Sequence, residues 1–195
     1  MTPAMRRWIR PPYIVAAILI GLAIGVAIGV ATQSSSSRPA SAPSTTVHVP
    51  QPAGPTPSAS AQMVCAEEAQ KDLASTLGIS ATAVSTPTWV DHTYACDYTY
   101  PAGSVALSVK ELTSRVTTDQ YYDGLRSTLG QAKRLEGFGQ GAFTTPDGSL
   151  VLRKDYKVLL VDTSRLGVPF GQGFATRAQV ATAVAVTVLG CWTGA

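Results

Sequence analysis

From Tyr13 to Ala31 the chain runs for 19 residues without a charged side chain. No other feature constrains the fold as strongly. As a helix the run would measure about 28 Å, close to the ~30 Å hydrocarbon core of a bilayer. A helix also satisfies its own backbone polar groups, which the bilayer interior demands. Arg6, Arg7 and Arg10 precede the run, and Trp8 and Tyr13 stand where a membrane interface would lie. The positive-inside rule then keeps residues 1–12 in the cytoplasm and exports the chain beyond Ala31.

A cleaved signal peptide is the competing reading, since Gly29 and Ala31 supply small residues of the cleavage type. The run is longer than the roughly 7–15 residues of such an apolar core, so a retained signal-anchor over 13–31 fits better. No cysteine comes directly after the run, which argues against lipoprotein processing. Gly21, Gly25 and Gly29 share one helical face and permit a homodimer by close backbone approach. The plainer account is that small residues are frequent throughout this chain.

Residues 32–62 hold eight serines, four threonines and six prolines, with almost no large apolar side chain. Such a stretch buries too little surface to offset the entropy of ordering, and it reads as a disordered linker. In polyproline-II form it would reach roughly 90 Å, enough to carry a domain away from a membrane.

The remainder, 63–195, suffices for one exported domain with its own core. The whole chain has 15 Lys+Arg against 12 Asp+Glu. From Met63 onward the balance is 11 to 12, so no basic face for nucleic acid is indicated. The chain has no asparagine and therefore no N-glycosylation signal.

Within this domain helical and strand periods alternate. Cys65, Ala69, Leu73 and Leu77 recur every four residues before Gly78, predicting a first helix. A short strand near 84–90 precedes a hairpin: Tyr94, Cys96, Tyr98 and Tyr100 alternate, Pro101–Gly103 turns the chain, and Val105, Leu107 and Val109 alternate again. Thr117 and Gln120 suggest a capping box for a second helix, with a Tyr121, Leu125, Leu129 stripe and a stop at Gly130. Further strands fall at Ala142–Phe143, Leu150–Leu152 and Val158–Val161, with a tight turn at Asp155–Tyr156. Thr176 and Gln179 cap a last helix whose face is Val180, Val184, Val188 and Cys191. The expected fold is α+β, an antiparallel sheet with about three helices packed on it.

Three cysteines, Cys65, Cys96 and Cys191, allow one bridge and one free thiol in an oxidising compartment. Cys65–Cys96 is the favoured pairing, with Cys191 as the alternative partner of Cys65. Their dispersal lacks the paired spacing of a zinc site. His92 reads as a surface-turn residue, and using it in a hydrolase would need a serine that no G-x-S-x-G elbow supplies. "GFGQG" (137–141) lacks the phosphate-loop pattern and reads as a turn. "RKDYK" (153–157) reads as a solvated hairpin tip, with a binding tip as the alternative. Tyr94, Tyr98 and Tyr100 read as core, or else as a ligand face. No catalytic, cofactor-binding or metal-ligating set emerges.

The order of basic tail, apolar span, Ser/Pro/Thr linker and cysteine-bearing domain resembles the membrane-anchored envelope proteins of mycobacteria and related actinobacteria. "VCAEEAQKDLASTLG", "YACDYTY" and "GFGQGAFTTPDGSLVLRKDYKVLLVDTS" resemble their exported lipoprotein and sensor-like domains of unknown function. The likeness covers residues 63–192. It departs from the lipoproteins in lacking a lipidated cysteine and in having Cys191, and it carries over no catalytic residue. It implies a single-pass envelope protein whose head binds a protein, a cell-wall component or a small molecule. The alternatives are an envelope hydrolase or an accessory subunit of a membrane complex.

Overall fold

The computed structural model describes residues 50–192. The uncharged run 13–31, its glycines Gly21, Gly25 and Gly29, and residues 32–49 of the expected linker lie outside the described residues. No helix among the described residues is long and apolar enough to cross a membrane.

In chain order the elements are α1 (Ala59–Gln62), a 3-10 turn (Met63–Cys65), α2 (Glu67–Leu77), β1 (Ala83–Val84), β2 (Thr88–Val90), β3 (Thr93–Tyr100) and β4 (Gly103–Glu111). Then come α3 (Arg115–Leu129), β5 (Lys133–Leu135), β6 (Gly141–Thr144), β7 (Leu150–Lys154), β8 (Lys157–Asp162) and α4 (Arg177–Trp192). The eight strands make one sheet in the order β1-β3-β4-β8-β7-β6-β5, with β2 also on β3. Every pairing is antiparallel. The α+β class is as expected, with four helices among the described residues instead of about three.

Period-two alternation sends Cys96, Tyr98 and Tyr100 of β3 to the same side as Val105, Leu107 and Val109 of β4. The α2 and α4 helices cover that side through Leu73, Leu77, Val180, Val184 and Val188. Burying each such side chain contributes about 1.5–3 kcal/mol relative to leaving it in water. The other side is covered over β6–β8 by α3, where Tyr122 meets Phe143, Val151 and Val158. Helices therefore lie on both faces, because β7 and β8 are apolar on both sides.

Several local expectations are corrected. The α3 cap is Ser114, whose hydroxyl accepts from Thr117 N at 3.1 Å while Thr117 Oγ1 accepts from Ser114 N at 3.1 Å. The buried α3 positions are Thr118 and Tyr122, and Tyr121 and Leu129 are exposed. The stripe is displaced because the Tyr122 ring meets Phe143 edge-on at 5.3 Å with the Arg153 guanidinium 5.5 Å from its centre. Cys191 stands at the flank of the α4 face, half-buried, and Trp192 completes that face. The "RKDYK" tip is not wholly solvated, since Lys157 is buried.

The largest correction concerns the linker. Its last part, 50–62, is not disordered but lies along the domain as a strap. Ala53 N donates to Leu112 O at 2.9 Å, and Trp89 Nε1 donates to Pro55 O at 3.1 Å. Ser58 caps α1, and Ala61 is fully buried. Trp192 Nε1 donates to Ser60 O at 2.7 Å, closing the strap onto the end of α4. Composition hid this, because the partners that order the strap are distant in sequence.

Candidate ligand cleft

The sheet ends at β5, and α4 packs over β7 and β8 on one face of it. Between β5 and α4 opens a cleft of about 580 Å³ lined by Lys133, Leu135, Thr144, Phe174, Thr182 and Ala183, among others. That volume falls in the ~300–1,000 Å³ range of small-ligand sites. Lys133 and Leu135 reach it because β5 pairs Lys133 with Thr144 and Leu135 with Ala142, which puts them on the α4 side of the sheet. The α4 helix leaves room there by presenting Ala178, Gln179, Thr182 and Ala183 at spacings i, i+1, i+4 and i+5.

The third wall is the segment before α4. Phe170 N donates to Phe174 O at 2.9 Å and Phe174 N to Phe170 O at 3.0 Å, so the intervening residues form a tight loop. Phe170 is buried and meets the Tyr100 ring edge-on at 5.0 Å. Gln172 N donates to Leu77 O at 3.2 Å, using a carbonyl that the end of α2 leaves without a helical partner. Two anchors thus fix the loop, and half-buried Phe174 faces the cleft.

Two polar side chains of the cleft already have partners. Gln179 Oε1 accepts from Ala175 N at 2.9 Å and Thr176 N at 3.1 Å, the capping chemistry expected from sequence. Thr182 Oγ1 donates to Ala178 O at 2.7 Å. No aspartate or glutamate among the described residues lines the cleft. Among the described residues Lys133 has no ion-pair partner, whereas its neighbour Arg134 bonds Glu136 at 3.0 Å. A second, polar hollow of about 320 Å³ lies beside α2, lined by Glu67, Gln70 and Lys71.

The residues singled out from sequence fall elsewhere. Cys65 and Cys96 are joined, with Cα atoms 6.1 Å apart, tying the turn before α2 to β3. Cys191 is free, and burial, with Asp72 and Glu68 nearby, pushes its thiol up. Tyr98 is core, its hydroxyl donating to Val64 O at 2.7 Å, and burial pushes its phenol up, with Tyr100 nearby acting the same way. Burial likewise pushes Tyr100 up to about 12. Tyr94 is half-buried and packs against the same core. Tyr98 and Tyr100 are thus core, and Tyr100 seats Phe170 behind the cleft loop.

His92 and Asp91 form the two-residue turn between β2 and β3, both with positive φ. His92 Nδ1 lies 3.1 Å from Gly54 O, so its ring is engaged with the strap. Lys110 donates to the Asp91 carboxylate at 2.7 Å, and this bond and charge hold that carboxyl below its usual range. "GFGQG" connects β5 to β6 as a turn. No group of three or more metal-ligating side chains occurs among the described residues.

Sequence reading missed Lys133, Leu135 and Phe174. The small residues of α4 at 178, 182 and 183 carry no signal of their own in a chain rich in alanine and threonine. The short charged strand β5 carries no alternation to read.

Fold and cleft together define an α+β domain with a ligand-sized opening at one sheet edge. Comparison with protein-family models, with curated proteins and with solved structures finds no match.

Proposed function

We propose that this chain is a non-enzymatic, single-pass envelope protein whose exported head binds a ligand in the cleft between β5 and α4. Residues 13–31 would anchor it, with the N-terminus cytoplasmic and the domain extracytoplasmic. Gly21, Gly25 and Gly29 would offer a homodimer face in the membrane. The reading rests on the resemblance to actinobacterial anchored domains. The Cys65–Cys96 bond supports an oxidising location, since such bonds are rare in reducing compartments.

The cleft carries the binding part of the reading. It is ligand-sized, and its third wall is a loop held by two anchors.

The test has two parts. A reporter enzyme active only outside the cytoplasm, fused after Trp192, should be active, and the chain should fractionate with membranes. Ala183→Trp should fill the cleft, and an unchanged unfolding midpoint should show that the core tolerates it. Envelope components retained by the wild-type chain should then be lost. Equal retention by both proteins would remove the cleft from the proposal, and a silent reporter would remove export.

A further inference from the structure

We infer that the ligand of this cleft is a single-chain fatty carboxylate, held by its alkyl chain between Leu135, Phe174 and Ala183 with its headgroup at Lys133. The inference rests on the cleft being the binding site and adds the chemistry of what enters it.

A glycan needs several converging donors and acceptors; Gln179 Oε1 and Thr182 Oγ1 are already bonded within α4 and its cap, which leaves Thr144, Gln172 and the Gln179 amide N–H as the uncharged polar groups of the walls. What remains is chiefly apolar wall from Leu135, Phe174, Ala178 and Ala183. Such a wall selects an apolar body.

The charge selects the other end. Among the described residues Lys133 is the only charged one lining the cleft, and it has no ion-pair partner there. Among the described residues no acidic side chain lines the cleft to repel an anion. One lysine matches one negative charge. A phosphate monoester would bring about −1.5 to −2 and would need further donors.

An extended peptide is the rival occupant, because β5 is an edge strand. Yet β5 is three residues long and carries Lys133 and Arg134. Short, charged edges are what proteins use to prevent strand addition. The edge is closed to a peptide while the cleft behind it stays open.

The experiment uses the full chain in its native membrane vesicles. Diazirine-bearing dodecanoic acid, dodecanol and dodecyl phosphate are photolysed with it, and adducts are mapped by mass spectrometry. The carboxylate probe should label peptides containing Leu135, Phe174 and Ala183, about threefold more than the alcohol, as one exposed ion pair allows. Lys133→Met should erase that preference and leave alcohol labelling unchanged, and Ala183→Trp should abolish cleft labelling by both.

Equal labelling of wild type by acid and alcohol would overturn the carboxylate assignment while leaving the cleft as the site. Preferential labelling by the phosphate would overturn it too. If no alkyl probe labels the cleft while Ala183→Trp still loses an envelope component, the ligand class is wrong and the cleft stands. If neither occurs, both readings fall.

Discussion

Lys157 Nζ lies 3.8 Å from Glu111 Oε1, and the two side chains are 7% and 3% exposed. The pair joins β8 to β4, since Glu111 and Lys157 are register partners. The strap completes it. Ser58 Oγ donates to the Glu111 carboxylate, and Ser58 N donates to Glu111 Oε2 at 3.3 Å. A buried carboxylate is costly unless it is both paired and hydrogen-bonded, and here the strap supplies the hydrogen bonds.

Removing one partner should therefore be severe. Lys157→Met leaves Glu111 buried and uncompensated and should cost about 3–5 kcal/mol. Replacing both, as Glu111→Leu with Lys157→Met, should recover most of that loss. Ser58→Ala should cost about 1–2 kcal/mol through the lost cap and hydrogen bond. Urea unfolding measures all three, and limited proteolysis should find cleavage within 50–62 sharply increased in Ser58→Ala. An unchanged cleavage pattern would show that the strap is held by other contacts.

The disulfide makes a separate prediction. Its sequence separation of 31 corresponds to about 3.5–4 kcal/mol in the chain-entropy account. A double Cys65→Ser, Cys96→Ser variant should lose about that much, measured by denaturant midpoint. Unfolded but unreduced protein should show one reactive thiol, Cys191. In the folded chain that thiol should alkylate slowly at neutral pH, because burial, aided by Asp72 and Glu68, raises its pKa.

Alkali tests the tyrosine row. Burial raises Tyr100 from 10.0 to about 12 and moves Tyr98 in the same direction. A phenol whose folded pKa lies above its unfolded value stabilises the fold fully below the unfolded value. That stabilisation disappears as pH climbs through the folded one. The domain should hold its stability up to about pH 10 and lose it progressively toward pH 12. Tyrosinate absorbance and unfolding should rise together there. Tyr100→Phe should soften the decline, whereas Tyr121→Phe, on the exposed face of α3, should not.

Much of this architecture could be read from periodicity. The β3–β4 hairpin, the β7–β8 hairpin, the α4 cap and the Cys65–Cys96 pairing all derive from alternation, turn residues or cysteine placement. Readings failed where the deciding partner is remote. The α3 face turned on Phe143 and Arg153, which the helix itself cannot announce. The strap was hidden in linker composition because Glu111, Trp89 and Trp192 order it from elsewhere. The cleft was hidden most completely, since it is a space left by small residues between two elements that never pair. Only the arrangement of β5 and α4 makes it visible.

The cleft loop supplies the last prediction. Gly171 has φ of +54°, and a Cβ there would meet Leu77 O at 2.1 Å. Alanine at this position would carry the left-handed penalty of about 1–2 kcal/mol and push the loop off the end of α2. The Gln172 N to Leu77 O bond would be lost with it. Gly173 is the matched control, because its φ is +100° but a Cβ there meets nothing within 4 Å. Gly171→Ala should lower the unfolding free energy by about 2–3 kcal/mol, combining strain with the lost hydrogen bond. Gly173→Ala should cost only the conformational part. If Phe174 depends on the Gly171 seat, labelling of the cleft should fall in Gly171→Ala and persist in Gly173→Ala. Equal loss in both variants would mean that the loop is held by Phe170 against Tyr100 alone.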